Sequence, residues 1–163
     1  MREILFRGKT IKTGKWVEGL LWKKKYKSNK WFISCFPDKD DNEECFVVDP
    51  ETISQFTGLT DKNGVKIFEG DIVKQTFEKQ YNIDYGMGDE VEFIEGFEIG
   101  VVGIVPSRGA CLKRPIQTSW VNGEENTVAE KTNTYKNVAQ YRCEVIGNIF
   151  DNPELMEGGG SDE

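Results

Sequence analysis

Two carboxylate pairs, Glu69 with Asp71 and Glu92 with Glu98, are the residues whose type suits acid–base work. A catalytic pair needs two acids at a fixed separation, in surroundings that drive their pKa values apart. Solvated carboxylates on an acidic, β-rich chain far outnumber such pairs, so neither is assigned a catalytic role. The chain contains no histidine. Ser-His-Asp and Cys-His nucleophiles, histidine-ligated zinc and the imidazole base are therefore excluded. No P-loop, dinucleotide fingerprint or nucleophile elbow occurs. Gly100-Val101-Val102-Gly103 reads as strand glycine, because no helix start follows to cradle a phosphate. The sequence thus predicts a non-enzymatic protein with no catalytic, cofactor-binding or metal-binding residues.

Two charge runs invite binding chemistry. Trp22-Lys23-Lys24-Lys25-Tyr26-Lys27-Ser28-Asn29-Lys30-Trp31 interleaves lysines with aromatic rings, the combination of single-strand nucleic-acid binders. The plainer reading is a hairpin turning at Ser28-Asn29, with lysines guarding a sheet edge. Asp38-Lys39-Asp40-Asp41-Asn42-Glu43-Glu44 suggests calcium but lacks the glycine and the distant glutamate of an EF-hand loop. Asp61-Lys62-Asn63-Gly64 opens like a calcium loop, yet its spacing to Glu69 is wrong and a hairpin explains every residue. If residues 16–48 form a three-strand meander, the basic and acidic loops lie at opposite ends of the middle strand, Trp31 to Phe36. At ~3.3 Å per residue they stand roughly 20 Å apart, beyond a Debye length of about 8 Å. Such polarity favours head-to-tail self-association, which should then weaken with salt.

The net charge of −7 argues against indiscriminate attraction to phosphate backbones. No run approaches the ~18 apolar residues of a membrane helix, and the charged N-terminus is no secretory signal. Cys35, Cys45, Cys111 and Cys143 show no metal-ligand spacing. Three of them (Cys35, Cys45 and Cys143) sit in apolar strand-like runs, and all four read as reduced cytosolic thiols.

The elements around these residues are strands. Gln55 to Val73 carries Asn63-Gly64 between apolar runs, a signal for a type I′ hairpin turn. Asp89 to Gly100 alternates, with Val91, Phe93, Phe97 and Ile99 on one face and Glu92, Ile94 and Glu98 on the other. Gly96 suggests a bend or bulge. Tyr141 to Phe150 alternates again, with Tyr141, Cys143 and Val145 inward. Asp49-Pro50-Glu51 and Asn152-Pro153-Glu154 read as starts of short helical turns near 50–54 and 152–156. Lys79 to Gly88 and Gly109 to Asn137 read as long loops. The predicted organisation is an N-terminal β meander over 1–55, a β-barrel region over 56–156 with long loops at 79–88 and 109–137, and a flexible tail over 157–163. The two β parts are separate or form one intertwined unit.

At three places the chain resembles the YopX family of phage and prophage proteins from mostly Gram-positive bacteria. The first is Arg2-Glu3-Ile4-Leu5-Phe6-Arg7-Gly8 with Trp16-Val17-Glu18-Gly19. The second is Phe56-Thr57-Gly58-Leu59, Asp61-Lys62-Asn63-Gly64 and Ile67-Phe68-Glu69-Gly70-Asp71-Ile72-Val73. The third is Glu144-Val145-Ile146-Gly147-Asn148-Ile149-Phe150 with Asn152-Pro153-Glu154-Leu155. The resemblance implies a complex all-β fold with SH3-like barrel character and expression in the host cytoplasm. It implies no activity and no site residues, and the stretch 109–137 is longer than the family's usual loop. The residues point to an interaction or self-assembly module binding a protein partner or itself. The alternatives are a nucleic-acid-associated protein using residues 22–31 and, last, a hydrolase using one of the carboxylate pairs.

Overall fold

The computed structural model describes residues 4–24, 29–35, 44–84, 89–121 and 124–157. Among them the chain is all β, as the alternating patterns predict, with twelve strands and three single-turn 3-10 helices. The Pro50–Thr52 and Pro153–Met156 turns fall where the proline signals place them, and Asp49 caps the first by accepting from the Glu51 N–H at 3.0 Å. The chain forms two compact units. One comprises residues up to Leu59 with Lys66–Glu69; the other comprises Thr60–Val65 and everything from Gly70 on. The block Phe56–Leu59, which opens the expected barrel region, therefore lies in the first unit.

The first unit is a sheet in the order β4-β3-β2-β1-β5-β6: β1 Phe6–Lys9, β2 Trp16–Lys23, β3 Trp31–Cys35, β4 Glu44–Val48, β5 Ser54–Thr60 and β6 Lys66–Phe68. The expected meander is β2-β3-β4; its two charged loops lie largely outside the described residues. Alternation puts Gly8, Gly19, Ile33 and Val48 on one face, and all four are buried. At Gly19 a Cβ would collide with the Ser34 carbonyl, so only glycine lets β2 and β3 approach this closely. A single bridge, Thr10 to Val48, draws the end of β4 back to the chain after β1. Ile11 N–H donates to Val47 O at 3.0 Å, and Asp49 N–H to Lys9 O at 2.8 Å. One bridge is not a ladder, and neither this sheet nor the expected barrel region over 56–156 closes into a barrel among the described residues.

The second unit is a sheet in the order β10-β9-β8-β7-β12, with β11 also on β9. Its strands are β7 Asp71–Asp84, β8 Asp89–Val105, β9 Gly109–Val121, β10 Glu124–Lys131, β11 Tyr135–Asn137 and β12 Cys143–Asn148. Both expected long loops are therefore largely strand. Lys79, Gln80 and Tyr81 are exposed in succession, which hydropathy cannot tell from a loop, and Gly109–Val121 buries Cys111, Leu112 and Pro115 within an otherwise polar run. The bulge expected at Gly96 lies instead at Gly100, which opposes both Arg114 (φ 44°) and the buried Pro115. Tyr141, expected inward, is 76% exposed because the Gln140–Arg142 turn ends the strand before it; Cys143 is fully buried.

The Asn63-Gly64 turn differs in type from the expectation. Gly64 has φ 82° while Asn63 stays at negative φ. Gly64 N–H donates to Asp61 O at 3.0 Å, and Asp61 N–H to Val65 O at 2.8 Å. This is the three-residue loop in which a type I turn precedes a glycine bulge.

Candidate functional site

The surface with the strongest claim to recognition is the far half of the β7–β8 ribbon. The two strands pair without a break from Ile72–Val101 to Asp84–Asp89. Their neighbours stop early: β12 reaches β7 only as far as Gln75, and β9 reaches β8 only as far as Ile94. Beyond those points the ribbon is two strands wide among the described residues, and Tyr81, Val91 and Phe93 are 40–47% exposed on it. The stripe of Val91, Phe93, Phe97 and Ile99 does share one face, but that face is the wetter one. On the other face Glu98 is buried, 4% exposed, together with Gly96, Gly100 and Val102.

The direction of the backbone groups along β7 follows from β12. Cys143 gives its carbonyl to the Lys62 N–H at 3.1 Å, and Val145 gives its N–H to Asp61 Oδ2 at 3.0 Å. Neither group points at β7, so the residues opposite them, Gln75 and Val73, direct their own groups to β8. Alternation then turns the N–H and C=O of Thr76, Glu78, Gln80, Asn82 and Asp84 outward. No described strand pairs with this edge.

Beside the start of the edge is a half-open groove of about 320 Å³, lined by Thr76, Phe77, Glu78, Glu95, Trp120 and Arg142. Trp120 meets Phe97 edge-on with centroids 6.2 Å apart, and its indole N–H donates to Glu95 at 3.3 Å. Lys74 lies 4.1 Å over Phe97. Under the sheet, Glu98 accepts from Gln75 Nε2 at 3.0 Å and pairs with Lys136 at 3.4 Å. Gln75 also donates to Asn137 O at 3.2 Å and accepts from Ala139 N–H at 3.1 Å. This buried polar cluster anchors the base of the ribbon.

The residues singled out for chemistry are employed otherwise. Glu92 and Glu98 lie on one straight strand; six residues at ~3.3 Å put them roughly 20 Å apart, beyond the ~5–9.5 Å of a carboxylate pair flanking a scissile bond. Glu98 is held in the polar cluster, and Glu92 sits opposite Tyr81 on the ribbon. Asp71 is 1% exposed at the start of β7 in the second unit, whereas Glu69 closes the last segment of the first. Asp61 takes three backbone N–H groups: Asn63 at 2.8 Å and Val65 at 2.9 Å on Oδ1, and Val145 on Oδ2. Burial works to raise its pKa, but those three donors outweigh it and hold the carboxyl below its ordinary value. Its oxygens are turned to fixing a hairpin.

In the basic patch, Trp22 stacks on Phe32 with centroids 4.4 Å apart and donates its indole N–H to Ser34 at 2.8 Å. Lys23 lies 4.9 Å over Trp31. Residues 25–28 lie outside the described residues, as do 38–43 of the acidic run. The four cysteines are free thiols. Burial pushes Cys35, Cys111 and Cys143 above the usual thiol range, whereas Cys45, expected in an apolar run, is exposed, with its sulfur 3.2 Å from Ser34 Oγ. Sequence reasoning missed Arg7, whose guanidinium lies 4.7 Å from both the Trp16 and Phe68 rings. It also missed the Gln75–Glu98–Lys136 cluster, because no local pattern marks a glutamate that tertiary contacts bury. Among the described residues no helix is long and apolar enough to cross a membrane.

No curated protein matches the chain. Among solved structures it is similar to the crystal structure of protein EF1440 from Enterococcus faecalis, with 21% sequence identity and a TM-score of 0.42 over 96% of this chain and 99% of that one. The family model described as YopX protein matches residues 5–157. Nearly the whole chain lies within that match, from β1 to the final 3-10 turn: the protein belongs to the YopX family.

Proposed function

We propose that the protein is a non-enzymatic interaction and self-assembly module, phage-encoded and working in the host cytoplasm, whose recognition element is the projecting β7–β8 ribbon. The observation that carries this reading is an overhang whose β7 edge no described strand pairs, with Tyr81, Val91 and Phe93 exposed. Paired strands that leave their sheet lose the burial that normally offsets ordering them. Unpaired strand groups beside exposed aromatics are what strand-addition recognition uses. The nucleic-acid reading is weaker, because a ring of Trp22 and a ring of Trp31 already serve contacts within the sheet.

The test replaces Val91 and Phe93 together by aspartate. Both positions are exposed, so the thermal midpoint should stay within a few degrees, while self-association and partner capture from prophage-induced cells should both fall at least about tenfold. Unchanged association and capture by the double variant would remove the ribbon from the reading.

A further inference from the structure

Resting on that reading, we infer that the partner at the β7 edge is a second copy of this chain, joined by antiparallel pairing of Thr76–Asp84 with itself about a two-fold axis at Gln80. When identical strands pair antiparallel, one residue on the axis faces its own copy, and its identity fixes every other pair. The free edge runs from Thr76, just past the end of β12, to Asp84 at the end of β7, and its middle residue is Gln80. An axis at Gln80 therefore pairs the whole edge and satisfies every outward N–H and C=O.

The side-chain types agree with this axis and reject its neighbours. With Gln80 on the axis, Lys79 faces the partner's Tyr81, Glu78 the partner's Asn82, Phe77 the partner's Ile83, and Thr76 the partner's Asp84. No like charges are opposed. Arg142, which lines the groove with Thr76 and Glu78, stands beside the place of the partner's Asp84. An axis at Lys79 or Glu78 opposes like charges directly. One at Tyr81 sets Glu78 against the partner's Asp84, and one at Phe77 runs the partner into β12. Like charges directly across a strand pair are destabilising, and an axis at Asn82 would pair only Gln80 to Asp84, so Gln80 is the axis that uses the whole edge.

The other described edges are poorer templates. β6 and β11 span three residues each, β4 and the end of β8 past β9 (Asp89 to Phe93) five each, and β12 and β10 carry register shifts. The β7 overhang is longer and has neither proline nor bulge, although Glu78, Lys79 and Asp84 place charge along it.

Sedimentation equilibrium of the full chain, over a range of concentrations, tests this with two variants at the exposed Gln80. The wild type should approach twice 18.6 kDa. Gln80→Lys alone and Gln80→Glu alone should each weaken association about tenfold or more, because like charges then meet on the axis. An equimolar mixture of the two should recover wild-type association, a result that a merely structural effect of either substitution cannot produce. A wild type that stays at the monomer mass overturns the self-pairing; the aspartate variants then still decide whether the ribbon binds a different protein. A dimer indifferent to both substitutions overturns the edge as the interface and leaves self-assembly standing.

Discussion

Replacing Asp61 by alanine should destabilise the second unit by about 3–5 kcal/mol, and the reason is visible atom by atom. The carboxylate is 5% exposed and receives the N–H groups of Asn63, Val65 and Val145 at 2.8–3.0 Å. Two of those bonds fix the turn and the third ties it to β12. A hydrogen bond to a charged group contributes ~1.5–3 kcal/mol, and a buried donor left unpaired costs ~1–3 kcal/mol. Three such bonds, less the cost of burying the carboxylate, leave the stated net. Asparagine keeps an oxygen for Oδ1's two donors but turns an amide toward the Val145 N–H, so Asp61→Asn should cost about 2 kcal/mol.

Urea unfolding followed by far-ultraviolet circular dichroism reads both losses. With a slope of about 2 kcal/mol/M, the alanine midpoint should fall by about 2 M. The pH dependence supplies a second reading. The folded pKa lies below the unfolded one, so the carboxylate's contribution is fully present above the ordinary carboxylate pKa and is lost as pH falls through the depressed value. The gap between wild type and Asp61→Asn should be constant above about pH 5 and shrink below about pH 4. An alanine midpoint within about 0.3 M of wild type, or a gap that ignores pH, would refute the reasoning.

Other perturbations separate the remaining physical claims. Gly19→Ala drives a methyl group into the Ser34 carbonyl and should abolish the first unit's fold, whereas Gly64→Ala has open space around it and should cost only about 1 kcal/mol, its positive-φ penalty; thermal melts of the pair check the contrast. Lys136→Met leaves buried Glu98 with Gln75 as its remaining side-chain donor, and should lower stability by about 2 kcal/mol in urea titrations. Toward a thiol reagent at neutral pH, exposed Cys45 should react first. Cys111 and Cys143, buried and with raised pKa, should react only on unfolding. Filter binding with single-stranded nucleic acid should show no steep salt dependence, and Lys23→Ala with Lys25→Ala should change it little.

The strand class was legible because Val91-Glu92-Phe93 and Cys143-Glu144-Val145 alternate with a period of two, and proline marked two of the three turns. The hairpin at residues 61–65 was legible in place but not in type, because the side chain that decides the type, Asp61, does so through bonds to its own turn and to Val145, 84 residues away. The stretches read as loops failed for the reverse reason. Lys79-Gln80-Tyr81 has no dry side, and hydropathy sees a strand only where one face is dry. Which face of β8 is buried was likewise hidden: the stripe of Val91, Phe93, Phe97 and Ile99 lies on the wetter face, while Lys136 and Gln75 allow Glu98 to be buried. The ribbon's edge is a property of where β12 and β9 stop, which no residue of β7 announces.

The account's central claim, that the β7 edge is the assembly surface, is tested most directly by amide hydrogen exchange at low and high protein concentration. The outward N–H groups of Glu78, Gln80 and Asn82 should gain protection as concentration rises, while those of Phe77, Lys79 and Tyr81, already bonded to β8, should not change. Exchange at all six positions that is independent of concentration contradicts it.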